Sequence, residues 1–322
     1  PKPVGAPFMT PGAVSAQGVG RMAHGGICVF SAIPDECGSL PGVTSGTPTF
    51  GVGYSQDCGS QLTFFATASG LFGAFSVILP PQSLMPVAMT LDTLIRNRLH
   101  ELAEPRLAEF SRRLMPGVGR CVMGVRVPLL RRLAAELARR DDAADWLTAD
   151  PAGLSFEEVV LRGLLIGRLK TDTDTWLARV AAYVPLIDNW AACDIPCSSF
   201  TAIRRHAERG WDFLMPYTDS HEEYAQRFGL VMLLDHYVND AWIDRTLARL
   251  SATATHDYYA QMAQAWALSV CFVKYPEKAL PHLGEGILSP EVRRMTLQKI
   301  AESRRLTGPW REIIRQMRTR QR

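Results

Sequence analysis

Trp190 and Asp194 stand four residues apart in the stretch LIDNWAACDIPCSSF, residues 186–200. On a helix that spacing sets an indole and a carboxylate side by side on one face. Both groups attract positive charge, the carboxylate by Coulomb force and the indole through its negative π face. Two other stretches put unusual side chains into apolar surroundings. Arg227 precedes the apolar run of YAQRFGLVMLL, and Trp266 sits among small residues in MAQAWALSVCF. Brought together, a carboxylate, a guanidinium and two indoles make a site in which an oriented carboxylate faces a cation. Each residue also has an ordinary alternative. A helical Trp is usually core; Asp194 could cap a short helix near Pro196; Arg227 could pair with Glu222, Glu223 or a helix end.

The elements that must position these residues are helices. From Met89 onward apolar residues recur at three- and four-residue spacing. VPLLRRLAAELARR (127–140) carries Leu130, Leu133 and Leu137 on one stripe, with Pro128 where a first helical turn tolerates it. SFEEVVLRGLLIGRL (155–169) opens with the capping box Ser155 and Glu158, and SHEEYAQRFGLVMLLDHYV (220–238) with Ser220 and Glu223. HDYYAQMAQAWALSVCFVKYP (256–276) runs to Pro276, and SPEVRRMTLQKIAESRRL (289–306) starts at Ser289 and Pro290. No β-hairpin signal occurs in this part. The expected class is therefore all-α. Asp194, Arg227 and Trp266 follow one another at 33 and 39 residues, the period of HEAT- or armadillo-type helical pairs stacked into an α-α superhelix. Periodicity alone leaves a plain helical bundle open.

Composition limits the partners and the chemistry. The chain has 322 residues and a formal net charge of +3. Residues 1–88 contain only five charged side chains (Lys2, Arg21, Asp35, Glu36 and Asp57), so 33 Lys and Arg face 29 Asp and Glu in 89–322. Seven cysteines lie at 28, 37, 58, 121, 193, 197 and 271 with no CxxC pair. That pattern argues against a disulfide framework and a tetrahedral zinc site, and for reduced core thiols in a cytoplasmic protein.

Residues 1–88 read differently. They are rich in Gly, Pro, Ser and Thr, and neither a helical nor a strand period is sustained. Their one long apolar run, LTFFATASGLFGAFSVIL (62–79), is uncharged and reaches the lower limit for a membrane span, though Gly, Ser and Thr dilute it. The abrupt onset of helical patterning at Met89 suggests a boundary there. The expected organisation is a low-complexity extension over 1–88, disordered or upstream of the natural start at Met89, followed by a helical-repeat domain over 89–322.

Residues 89–322 resemble the DNA alkylation repair (AlkD-like) glycosylases. The likeness begins in LMPGVGRCVMGVRVPLLRRLA, similar to the family's Gly-Val-Arg-x-Pro lead-in to its second helical pair. It continues through IDNWAACD, RFGLVMLL, YYAQMAQAWALSVCFVKYPEKAL and LQKIAESRR. What the resemblance implies is a HEAT-like superhelix whose catalytic set is Trp190, Asp194, Arg227 and Trp266. The family also places an aromatic residue before the Gly-Val-Arg segment. Here Phe110 or Leu114 falls there, and no Tyr does.

The implied activity is hydrolysis of the N-glycosidic bond of cationic N-alkylated purines, such as 3-methyladenine and 7-methylguanine, in double-stranded DNA. The implied enzyme is a monomeric, monofunctional glycosylase with no metal or organic cofactor. A cationic base leaves as a neutral molecule and needs no general acid. The sugar left behind is oxocarbenium-like, and a carboxylate stabilises it. On this reading Asp194→Asn leaves folding almost unchanged. DNA affinity is expected from phosphate contacts: Arg311, Arg315, Arg318 and Arg322 form a stripe at 4, 3, 4 spacing, Arg304 and Arg305 precede it, and Arg131 and Arg132 lie in the early repeats. The rival readings are a non-catalytic helical-repeat DNA-binding or scaffold protein, and a membrane-anchored interaction protein resting on 62–79.

Overall fold

A computed structural model describes residues 27–28, 50–53, 62–68, 71–77, 89–306 and 308–319. The chain divides into two compact units, 1–88 and 89–322. In the first, β1 (Ile27–Cys28), β2 (Phe50–Gly53), β3 (Leu62–Ala68) and β4 (Leu71–Val77) form an antiparallel sheet in the order β1-β2-β3-β4. The uncharged run weighed above as a membrane span is thus divided between two paired strands, with Leu62 opposite Val77 and Ala68 opposite Leu71. LTFFATA and LFGAFSV are rich in residues that favour pleated backbone, and just two residues, Ser-Gly, separate them. Among the described residues no helix is long and apolar enough to cross a membrane.

The described residues of the second unit are all-helical. Its helices are α1 (Leu91–Leu102), α2 (Pro105–Leu114), α3 (Val127–Leu137), α4 (Ala143–Thr148), α5 (Phe156–Ile166), α6 (Thr173–Tyr183), α7 (Trp190–Cys197), α8 (Ala207–Thr218), α9 (Glu223–His236), α10 (Ile243–Ala252), α11 (Tyr258–Lys274), α12 (Pro276–Ala279), α13 (Pro290–Glu302) and α14 (Gly308–Thr319). From α3 to α13 each odd-numbered helix packs on the next odd-numbered one. The even-numbered helices α6, α8, α10 and α12 pack beside this inner row. Stacked helical pairs of this kind make a HEAT-like superhelix, because each pair buries its apolar face only against its neighbours.

Burial follows from that layering. Every residue of α5 is buried, including Glu157, Glu158 and Arg162. The capping box expected there is present: the Ser155 hydroxyl accepts from the Glu158 amide, and Glu158 accepts from the Ser155 amide. The box expected at Ser220 and Glu223 does not form. Ser220 accepts from the Glu222 amide, while Glu223 reaches across to accept from the Tyr259 amide at the start of α11. A tertiary contact has displaced the local one.

The lead-in to α3 depends on a glycine and a buried carboxylate. Gly124 has φ +82°, and a Cβ there would lie 2.4 Å from both the Ala108 nitrogen and the Glu104 carbonyl oxygen. Glu157 accepts from the Met123, Gly124 and Val125 amides at 3.0, 2.7 and 3.3 Å. Three backbone donors stabilise the buried carboxylate's charge and find in it the acceptors they need.

Candidate active site

The site is assembled on α7, and both ends of that short helix are tied down. At its start the Asn189 side chain accepts from the Ala192 amide at 2.9 Å, an N-cap. Arg120 holds the preceding Asp188 at 2.9 Å. At its end the Arg131 guanidinium donates to the Ile195 carbonyl and to Ser198 Oγ, both at 3.1 Å. His236 meets the Cys197 carbonyl through Nε2 at 2.8 Å, and Arg204 donates to His236 Nδ1. A donor on Nδ1 makes Nε2 the protonated nitrogen. Burial agrees, pushing His236 down to about 4. Gly163 of α5 lets Pro196 approach: a Cβ there would lie 2.6 Å from the Pro196 side chain.

Trp190, Asp194, Arg227 and Trp266 line one cleft of about 320 Å³, together with Tyr258, Tyr259, Met262 and Lys299. Arg227 meets Asp194 through two parallel bonds, Nε to Oδ1 at 2.9 Å and Nη2 to Oδ2 at 2.6 Å. Its third nitrogen, Nη1, donates to the Tyr259 carbonyl at 2.7 Å. The pair is largely buried, with 7% of the Arg227 and 16% of the Asp194 side chain exposed. Burial works against the charge of Arg227, but the bonds to Asp194 outweigh it and hold the guanidinium above its ordinary value. Asp194 therefore neither caps α7 nor floats. Its carboxylate plane is fixed, and a carboxylate has lone pairs left after two such bonds.

The indoles are half-buried walls of this cleft. Trp190 donates its N–H to the Leu114 carbonyl at 2.9 Å, which leaves its ring face as the surface it can offer. Leu114 also lines, with Trp190, a separate apolar groove of about 500 Å³ between α2, α3 and α7. Of the two residues expected near the missing aromatic, Leu114 reaches Trp190 through its backbone. Phe110 stands 57% exposed and lines neither the cleft nor that groove.

Four cleft residues were not singled out in the sequence. Tyr258, Met262 and Trp266 recur at four-residue spacing along α11, so helical phase could have found Tyr258 and Met262 from Trp266. Tyr259 stacks on Tyr224 and meets Tyr258 edge to face. Lys299 comes from α13 and follows Trp266 by 33 residues, the interval between Asp194 and Arg227, so the repeat period could have found it; packing of α13 on α11 brings it to the cleft. Asp235 is a further carboxyl close by. Burial, with Asp194 adding to it, pushes Asp235 up to about 6.

The arginines expected to meet DNA separate. Arg304 and Arg305 are exposed and line a groove of about 600 Å³ that shares Trp266 and Lys299 with the cleft. Arg132 is exposed on α3, whereas Arg131 is engaged at the end of α7. On α14, Arg311 donates to the Leu306 carbonyl, Arg315 pairs with Glu312 and Arg318 reaches Gln298, yet all three are exposed. Arg322 lies outside the described residues. No group of three or more His, Cys, Asp or Glu side chains suited to a metal ion occurs among the described residues.

The model of the DNA alkylation repair enzyme family matches residues 95–303. The chain belongs to the DNA alkylation repair enzyme family. That match runs from Ile95 in α1 to just beyond α13 and contains every residue of the cleft. It leaves out the strands of the first unit and all of α14. No curated protein matches the chain. Membership makes this a protein of alkylated-DNA repair, with DNA as its partner, and directs attention to what the cleft of a DNA alkylation repair enzyme does to a nucleotide.

Proposed function

We propose that the protein is a monofunctional glycosylase that hydrolyses the N-glycosidic bond of cationic N-alkylated purines in double-stranded DNA. The observation that carries this reading is the Asp194 carboxylate, fixed by two Arg227 bonds in a cleft walled by Trp190, Trp266 and Tyr258. Alkylation at purine N3 or N7 makes the base cationic, so its bond to the sugar is already weak. As that bond lengthens, the electron pair leaves with the base, which becomes neutral, and positive charge gathers at the anomeric carbon. Asp194 faces that charge and orients the attacking water, whose proton leaves to the carboxylate or to solvent. Because Arg227 sets the carboxylate beforehand, no reorganisation is needed in the transition state. The indole and phenol faces attract both the cationic base and the polarised sugar. Arg304 and Arg305 hold phosphates beside the cleft, and Arg132, Arg311, Arg315 and Arg318 add more distant ones.

The deciding experiment incubates the full chain with duplex DNA carrying 7-methylguanine and measures free base. Release with an intact, alkali-labile abasic strand is expected. Tight binding without release would favour the non-catalytic DNA-binding reading instead. Trp190→Ala and Trp266→Ala are each expected to slow release by roughly two- to thirtyfold, the scale of about 0.5–2 kcal/mol for one ring face. Single-turnover rates equal to those of the parent would remove the rings from the mechanism. Replacing Arg311, Arg315 and Arg318 together with Ala should flatten the salt dependence of binding by up to about three phosphate contacts. An unchanged slope would make α14 a solvated face.

A further inference from the structure

We infer that Lys299 is the positioning residue that grips the backbone phosphate flanking the lesion and so seats the damaged sugar against Asp194. This rests on the proposed glycosylase reading of the cleft. A nucleotide cannot enter the cleft without bringing its phosphates, and each needs a cation or donors. Arg227 is the obvious candidate and is unavailable. All three of its nitrogens already donate, two to Asp194 and one to Tyr259, and it is 7% exposed. Of the residues lining the cleft, Lys299 is the only other cation.

Its surroundings suit that task. Lys274 and Lys278 give Nζ to partners within the chain, whereas Lys299 makes no hydrogen bond or ion pair among the described residues. It is half-buried on α13 and lines both the cleft and the neighbouring groove, whose other charged residues are Arg304, Arg305, Lys274 and a single carboxylate, Glu302. Lys299 thus stands where the aromatic cleft gives way to a basic channel. A strand laid along that channel would place one phosphate on Lys299 and the next ones over Arg304 and Arg305. A lysine fits this place because its ammonium is a compact point charge that follows a phosphate without imposing a fork geometry.

The test is binding, which requires no catalysis. A duplex carrying a tetrahydrofuran abasic analogue is made in a series with one phosphate at a time around the analogue replaced by a neutral methylphosphonate. Lys299→Ala is expected to weaken binding of the all-phosphate duplex by about tenfold and to lower the slope of log K against log salt by about 1. One methylphosphonate position should produce the same loss in the parent protein and no further loss in the variant. Lys299→Arg should retain most of the affinity. Lys299→Gln, which keeps length without charge, should behave as Ala does and serves in its place if Ala alters the unfolding midpoint. An unchanged salt slope, or equal losses in parent and variant at every methylphosphonate position, would overturn the assignment. If the matched position is found but 7-methylguanine is never released, the glycosylase reading falls and the phosphate contact stands.

Discussion

Asp194→Asn is expected to slow single-turnover release of 7-methylguanine by roughly 10²–10³, the scale of losing one preorganised electrostatic group. Binding to undamaged duplex should change little, because the lost charge matters most when the sugar becomes cationic. The structure alters one part of the sequence-based expectation, namely that folding would be untouched. Arg227 is 7% exposed, and two of its three nitrogens, Nε and Nη2, donate to Asp194. An amide keeps one acceptor but turns an NH₂ donor toward a guanidinium donor. Breaking a buried pair from one side costs up to about 3–5 kcal/mol, so the variant should also unfold at lower temperature.

Rate and stability are separated by a second variant. Combining Asp194→Asn with Arg227→Met removes the stranded charge and should recover much of the lost midpoint. The rate should stay low, because the carboxylate is still missing. Recovery of the rate together with the midpoint would show that Asp194 serves the fold and not the reaction.

Gly124→Ala should lower stability by about 3 kcal/mol or more. Two costs combine there. A non-glycine residue at φ +82° carries about 1–3 kcal/mol of backbone strain, and its Cβ would lie 2.4 Å from two backbone atoms of the α2 start. Backbone cannot swing aside as a side chain does, and overpacking alone costs about 1–3 kcal/mol. For a helical unit of this size, a midpoint shift of roughly 5–10 °C is expected by calorimetry. A shift below about 2 °C would mean that the loop relaxes around the methyl group and that the three amides on Glu157 are not held by this geometry.

Some of this protein was determined by sequence alone, because the physics involved is local or periodic. Apolar spacing marks helices over 127–137 and 290–302, and Ser155 with Glu158 forms the box that their spacing announces. Trp190 and Asp194 share a face because four residues make about one helical turn. Their roughly regular recurrence with Arg227 and Trp266 follows from the length of a helical pair, and all four line one cleft. Other features depended on which groups lie opposite one another across the stack. Glu223 looked like a cap partner for Ser220, but α11 offered it the Tyr259 amide. Arg131 looked like a phosphate contact, but the end of α7 presented the Ile195 carbonyl and Ser198 Oγ as acceptors. Arg227 had three possible partners by sequence, and burial left Asp194 as the charge close enough to repay its desolvation. Lys299 lies 105 residues from Asp194 but 33 beyond Trp266, the same interval that separates Asp194 from Arg227, so the repeat period marks its position without giving its side chain a role. Whether that side chain reaches the cleft is decided by how α13 packs on α11, a match between two apolar faces that no local feature of its own segment specifies.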